Sequence, residues 1–378
     1  MKKLLFITYS LGKSGGVQTV LTNLMNELCT KFDITVLCLD GNEEFLYDLN
    51  PKIKSVVLNS FGNTKSFKAM VLINKYFSWL PKKQNIKNYI YQYGVYCLLK
   101  KWLKKNHQNY DTIVSCRYTL SSMLSTMKGI NKKTWAWEHI NYKMGGFFWN
   151  TLMRPYYKNL KGIIYINKES EGHYKKINPN SYLIYNLIGD PFENMPFICC
   201  EEKENTILFV GRLHPEKNIR QLVEIYSNLK EKEGWNFKII GEGSEKSYLE
   251  NYVKDHPHSH IEILGNKTKE EVCNYMMKSK ILVLASESEA FGLVLVESMF
   301  CSNILISYDC EFGPASIVNN NNGFLIKHHD KEDFTNKLQL LITDEELLKK
   351  LNISSYEESK KWKKENIIST WKILLDKN

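Results

Sequence analysis

The chain has 378 residues, of which 43% are apolar and 24% charged, and its formal net charge is +10. That length exceeds one ordinary core and suits two α/β domains, and the composition excludes a disordered or collagen-like chain. No apolar run approaches the ~18 residues of a membrane span. The nine cysteines are odd in number and scattered without a Cys-x-x-Cys pair, which argues against structural zinc and for a reduced cytosol.

In chain order, Leu4 to Tyr9 reads as a strand. It is too short for a signal peptide, lacks a small-residue cleavage site and runs into a glycine-rich turn at Gly12 to Gly16. Val17 to Leu28 then places Val17, Val20, Leu21, Leu24 and Leu28 on one helical face, and Phe32 to Leu39 reads as a second strand. Between Leu49 and Tyr110 stand twelve lysines and no Asp or Glu, interleaved with aromatics such as Trp79, Tyr89, Tyr93 and Trp102. Such a segment suits an anionic membrane surface. A solvated basic face is the plainer reading; a nucleic-acid surface is disfavoured because arginine is absent here. Asn178 to Glu204, rich in proline, asparagine and acids, reads as a hinge, with the adjacent Cys199 and Cys200 inert within it.

The opening pattern then repeats. Thr206 to Gly211 is a strand and Arg212 to Asn218 a basic loop. Ile219 to Leu229 is a helix with Ile219, Leu222, Val223, Tyr226 and Leu229 on one face, and Trp235 to Ile240 is a strand closing at Gly241-Glu-Gly243. Two such βαβ openings demand parallel sheets with right-handed crossovers, hence two doubly wound, Rossmann-like domains with ligands at the carboxyl ends of their strands. The expected cleft lies between the two domains. His256-Pro-His258-Ser-His260 offers alternating imidazoles but reads as an exposed loop, not a metal trap. The tail Ser355 to Leu375 is helical and basic at Lys360, Lys361, Lys363 and Lys364, and is placed to pack back onto the first domain.

The most informative stretch is Glu289-Ala-Phe-Gly-Leu-Val-Leu-Val-Glu297. Ile281 to Ala285 before it reads as a buried parallel strand, Ser286 to Ala290 as loop, and Leu293 to Phe300 as helix. Glu289 therefore stands beyond a strand's carboxyl end. The amides of Phe291, Gly292 and Leu293 begin a helix, where unpaired N–H groups and the dipole suit a phosphate. Arg212 and Lys217 are placed to meet a diphosphate there, because a nucleoside diphosphate leaving group gains negative charge as its bond breaks. With no Asp-x-Asp pair to hold a metal, these cations and the helix start are a coherent substitute. Glu297 can accept from a vicinal diol such as ribose, and Glu289 from sugar hydroxyls. The plain alternatives are surface cations and a carboxylate paired with a lysine.

These residues carry a resemblance to the retaining glycosyltransferases of family 4, which have the GT-B fold. The matching motifs are Gly211-Arg212-Leu-x-x-x-Lys217-Asn218, Gly241-Glu-Gly243, Ile263-Leu264-Gly265 and Glu289-x-Phe291-Gly292-x-x-x-x-Glu297. The resemblance implies that Arg212 and Lys217 hold the donor diphosphate, Glu297 the ribose and Glu289 the transferred sugar, with backbone around Leu264 and Gly265 facing the base. Ser14-Gly15-Gly16 looks like the family's glycine loop, and His139, after the Trp-Ala-Trp strand, stands where members keep a histidine near the sugar. Asp309-Cys-x-x-Gly313-Pro314 resembles a loop of members that use UDP-linked hexoses or N-acetylhexosamines. Ala285 and Cys301-Ser-Asn-Ile304 depart from the family's usual proline and Gly-Pro turn.

The expectation is a metal-independent, retaining transferase with no cofactor, taking a UDP-sugar as donor. Residues 1–185 would be the acceptor domain and 186–355 the donor domain, with 356–378 packed on the first. The acceptor would be a lipid-linked or polysaccharide glycan at the inner face of the cell membrane, reached through residues 49–110, and the protein cytoplasmic and peripherally bound. The alternatives are a GT-B UDP-sugar epimerase and a non-catalytic GT-B subunit supporting a partner transferase.

Overall fold

The computed structural model describes residues 1–12, 16–39, 48–58, 64–76, 83–143 and 145–376. The chain divides into two compact units, residues 1–166, 170–184 and 368–378 forming one, and 167–169 and 185–367 the other.

The first unit is built on β1 (Lys3–Thr8), β2 (Asp33–Cys38), β3 (Lys54–Val57), β4 (Thr112–Ser115), β5 (Thr134–Glu138), β6 (Gly162–Tyr165) and β7 (Ser181–Leu183), in the spatial order β3-β2-β1-β4-β5-β6-β7. Every neighbouring pair is parallel. Its helices are α1 (Gly16–Leu28), α2 (Lys65–Tyr76), α3 (Lys83–Asn106), α4 (Tyr118–Ser125) and α5 (Glu171–Ile177). The strands β1, β2, β4 and β6 are buried almost throughout because helices cover both faces of a parallel sheet. On α1, Val20, Leu21, Leu24 and Leu28 are buried, as their spacing dictates.

The second unit repeats the plan with β8 (Thr206–Val210), β9 (Asn236–Ile240), β10 (Ile261–Gly265), β11 (Ile281–Leu284), β12 (Ile304–Asp309) and β13 (Gly323–Lys327). Their order is β10-β9-β8-β11-β12-β13, all parallel. Around them run α6 (Ile219–Ser227), α7 (Lys246–Asp255), α8 (Lys269–Lys278), α9 (Leu293–Phe300), α10 (Lys331–Thr343) and α11 (Glu345–Ser359). In both sheets the strand order reverses beside the first strand, between β1 and β4 and between β8 and β11. Ligands of open α/β sheets bind at such switch points.

Two expectations need correction. The presumed hinge from Asn178 contains β7, which pairs with β6 at Ile163–Ser181, so the linker begins only after it. A three-residue edge strand flanked by asparagines and a proline is too short to show periodicity. The basic tail is not one helix: it breaks at Lys360–Lys363 before α12 (Lys364–Asp376). The break is where Trp362 turns inward onto Tyr185, with ring centroids 4.5 Å apart. Beyond it, Trp371 packs edge-on against Trp137 in the first unit at 4.8 Å.

Candidate functional site

The second unit's switch point is assembled from backbone up. Beyond β8, the Gly211 amide donates to Ile240 O (3.0 Å) and the Leu213 amide to Glu242 O (2.8 Å), stitching the basic loop to the end of β9. Gly241 and Gly243, with φ of 148° and 153°, leave no room for a side chain, since a Cβ would strike the carbonyls of Gly211 and Leu213. The Gly241 amide donates to Gly265 O at 2.9 Å, and Gly265 has φ of 67°. Gly241, the partly buried Leu264 and Gly265 thus line up along the ends of β9 and β10, behind the loop that carries the cations.

That loop crosses to the neighbouring strand. A 3₁₀ turn over Pro215–Lys217 ends at Asn218 with left-handed φ of 53°, and the Glu287 amide donates to Glu216 O at 2.8 Å. Lys217 and Glu289, 72 positions apart, consequently meet as an ion pair, both only about 15% exposed (15% and 14%). The Ser286 hydroxyl donates to the same Glu289 oxygen at 2.7 Å. Arg212 is 74% exposed and pairs with Glu216, its guanidinium reaching outward. Cys310 lies close enough to Glu289 for burial and that carboxylate to push its thiol up to about 12.

Gly292 has φ of 88° and opens α9 in a conformation only glycine adopts freely. Just before it, Phe291 is buried against Trp362 (5.6 Å) and Tyr185 (5.9 Å), an anchor for the backbone more than a ligand contact. Gly313, φ 89°, backs directly onto Phe291, where a Cβ would lie 2.7 Å from its carbonyl oxygen. Ser288 bridges Glu311 in the same loop pair. The start of α9 at Leu293 is therefore held from two sides. Four residues on, Glu297 is half-buried, and burial raises its carboxyl to about 7, with Lys269 of α8 pulling it back.

In the first unit, His139 follows β5 and is buried, its ring 4.1 Å from that of Trp137. Burial, then the Arg117 charge, lowers its pKa to about 3, so the imidazole is neutral across the physiological range. Its Nε2 is buried without a protein hydrogen bond. It can exchange a hydrogen bond with a hydroxyl but cannot supply a cation. The preceding Glu138 is locked into a buried cluster with Arg154, Tyr157 and Tyr174. Gly16 is the first residue of α1 and is exposed, whereas Gly15 lies outside the described residues. Arg117, beyond β4, and Tyr9, beyond β1, flank this switch point, with Tyr9 bonded to Thr119 (2.7 Å) and Gln92 (2.6 Å). Sequence reasoning overlooked both, and the only available signal was their place at strand ends.

The lysine-rich segment forms α2 and α3. Val71 and Leu72 on α2, and Tyr89 and Tyr93 on α3, are about half-exposed or more (50%, 52%, 49% and 66%). Lys100, Lys101, Lys104 and Lys105 are exposed at the end of α3, while Val95, Leu99 and Leu103 face the core. Beside Tyr93 and Tyr96, with Phe148, Trp149 and Met153, lies an aromatic groove of about 560 Å³. Among the described residues no helix is long and apolar enough to cross a membrane.

Residues 193–358 match the family model for glycosyl transferases group 1. An uncharacterized glycosyltransferase of Methanocaldococcus jannaschii is 34% identical over 192 residues, half of this chain and 52% of that relative. Over 98% of this chain and 97% of the relative, identity is 26% to a Campylobacter jejuni alpha-1,4-N-acetyl-D-galactosaminyltransferase whose named acceptor is a GalNAc- and diNAcBac-containing PP-undecaprenol. Among solved structures, Staphylococcus aureus TarM in complex with Fondaparinux, alpha-GlcNAc-glycerol and UDP superimposes with a TM-score of 0.73 at 15% identity, covering all of both chains. The fold is that of the GT-B glycosyltransferases, two parallel-sheet Rossmann-like domains, and the matches support a glycosyltransferase.

Proposed function

We propose that the chain is a retaining, metal-independent glycosyltransferase that moves a hexose or N-acetylhexosamine from a UDP-sugar to a hydroxyl of a lipid-linked glycan. The observation that carries this reading is the part-buried Lys217–Glu289 pair beside the start of α9. A donor diphosphate takes the place of Glu289 as the lysine's partner, and the released carboxylate accepts from the hydroxyls of the transferred sugar. Arg212, on a long exposed arm, adds a second cation. As the bond between the anomeric carbon and the phosphate oxygen breaks, charge grows on the departing diphosphate, where Lys217, Arg212 and the first amides of α9 are preorganised to stabilise it. The acceptor hydroxyl attacks from the same face, and its proton passes to a donor phosphate oxygen. Glu297 accepts from the ribose diol, and in the first unit the neutral His139 can exchange a hydrogen bond with a hydroxyl.

A lipid-linked acceptor suits the first unit's surface, where α2 and α3 carry exposed aliphatic and aromatic side chains and α3 also four exposed lysines. Such a face sits at an anionic membrane without spanning it. The C. jejuni relative's undecaprenol-linked acceptor and the UDP in the TarM structure support the two ends of this reading.

The test is proton NMR of the purified protein with a panel of UDP-sugars. Slow release of one sugar, appearing first in the donor's own anomeric configuration, is expected. Turnover with GDP- or ADP-sugars only would overturn the UDP assignment, and first appearance in the opposite configuration would overturn retention. Silence across all donors together with no nucleotide binding by calorimetry would sink the catalytic reading.

A further inference from the structure

Glu287, His328 and His329 come together outside the donor contacts described above. His328 and His329 follow β13 directly. Consecutive residues of a strand point to opposite faces, yet these two rings are stacked with centroids 3.8 Å apart. The reversal comes from His329, whose φ of 66° lies in the left-handed region that a non-glycine residue seldom occupies. Non-glycine residues held this way cluster at functional sites. The Glu287 carboxylate reaches the pair from the loop after β11, with Oε2 3.5 Å from His328 Nε2 and 3.4 Å from His329 Nε2. All three ligand atoms lie within 4.8 Å of one another.

Those separations are long for hydrogen bonds. They match the edge of a coordination tetrahedron: two ligands each ~2.0–2.1 Å from zinc stand about 3.3–3.4 Å apart. His328 Nε2 is buried and has no hydrogen-bond partner in the protein. The backbone of Glu287 is held by its amide, which donates to Glu216 O at 2.8 Å. Among the described residues this is the one cluster that brings three such ligand atoms within 4.8 Å of one another. His256, by contrast, turns its Nδ1 to the Tyr252 carbonyl at 2.9 Å and stacks on that ring.

We infer that Glu287, His328 and His329 form a binding site for one divalent transition-metal ion, with zinc the best match, and a solvent molecule as fourth ligand. Two imidazoles and a carboxylate suit zinc, cobalt or nickel and disfavour magnesium or calcium, which prefer all-oxygen shells. The ion would lie off the reacting atoms and act by position. It ties the end of β13 to the loop that carries Glu289 two residues further on, and, through the Glu287 amide bonded to Glu216 O, to the loop that carries Lys217. This is separate from the chemistry proposed above, which needs no metal.

The test is a titration of the full-length, chelator-treated protein with cobalt(II), followed by visible absorption, and with zinc(II), followed by calorimetry. One ion per chain is expected, with the d–d bands of a low-coordinate cobalt site. Glu287→Gln, His328→Ala and His329→Ala should each weaken binding at least tenfold, while a variant lacking His256, His258 and His260 binds as the parent does. Thermal melts in the absence of metal verify that each variant is folded. No cobalt bands, or binding indifferent to the three ligand variants, overturns the site. Loss of binding in the triple-histidine variant would assign the ion to that loop instead and equally overturn it.

Discussion

Two glutamates stand at or just beyond the carboxyl ends of sheet strands, one in each unit, and their surroundings could hardly differ more. Glu138 closes β5 and is about 1% exposed; Tyr157 and Tyr174 donate to it at 2.9 and 3.2 Å, and Arg154, equally buried, pairs with it at 3.3 Å. Burial and the nearby carboxylate push both phenols well above their usual range, so both remain donors to it. Glu289 has one lysine and one serine, both on loops, and solvent within reach. A saturated carboxylate is a structural element because any new partner must displace several others at once. A carboxylate with a single cationic partner can trade it for a ligand.

That contrast yields ordered predictions. The largest effect is on stability: Glu138→Ala leaves Arg154 buried and unpaired and should cost about 3–5 kcal/mol. Loss of the first unit's thermal transition, or of soluble protein, is the readout; a melt unchanged within a degree would break the comparison. Next, Lys217→Ala and Glu289→Gln should each lower UDP-sugar turnover by roughly 10²–10³-fold, the usual effect of removing one preorganised stabiliser. Their melting temperatures should stay near the parent's. If both retain turnover within a factor of two, the donor assignment fails.

A smaller effect concerns Glu297. Ribose hydroxyls donate to the ionised carboxylate, so a carboxyl titrating near 7 makes nucleotide binding pH-dependent. Affinity for UDP should fall as pH drops through that value, approaching tenfold per unit below it, and Glu297→Gln should flatten the profile. The sign for stability is opposite. The folded carboxyl holds its proton above the ordinary carboxylate range, so the unliganded protein loses stability as pH rises from about 4.3 to 7. A calorimetric series at four pH values checks both. The smallest expected change is at the surface, where Lys101→Ala or Lys104→Ala should each weaken sedimentation with anionic vesicles by about 1 kcal/mol, roughly fivefold, at low salt.

The loops at the second unit's switch point were legible because their parts are local and their geometry is imposed by strand order. Gly211 to Asn218 and Glu289 to Glu297 each read as a strand-to-helix turn, and the reversal of order beside β8 brings the two loops together without further assumption. Charge logic placed Lys217 beside a diphosphate, whereas the structure pairs it with Glu289, a contact the sequence did not show. What escaped depends on contacts no local pattern encodes. The Glu138–Arg154 cluster joins a strand end to an irregular π- and 3₁₀-helical stretch between Phe148 and Asn159, which has neither helical nor strand period. His256, His258 and His260 drew attention by their spacing and do not converge. His328 and His329 carry no signal in sequence, because adjacent strand residues ordinarily diverge and only the left-handed backbone at His329 stacks their rings. Trp362 looked like part of a basic helix and instead pins Phe291.

The path of α12 bears on how the molecule is made. Its second half, from Ile368, belongs to the first unit, where Trp371 covers Trp137 and the Lys2 ammonium donates to Leu375 O at 2.6 Å. The second unit's segments, through Ile367, therefore leave the ribosome before the last piece of the first unit exists. A domain begun first is finished last, so the usual order of N-terminal completion during synthesis is inverted here. Until α12 docks, Trp137 in the nascent chain lacks its edge-on contact with Trp371.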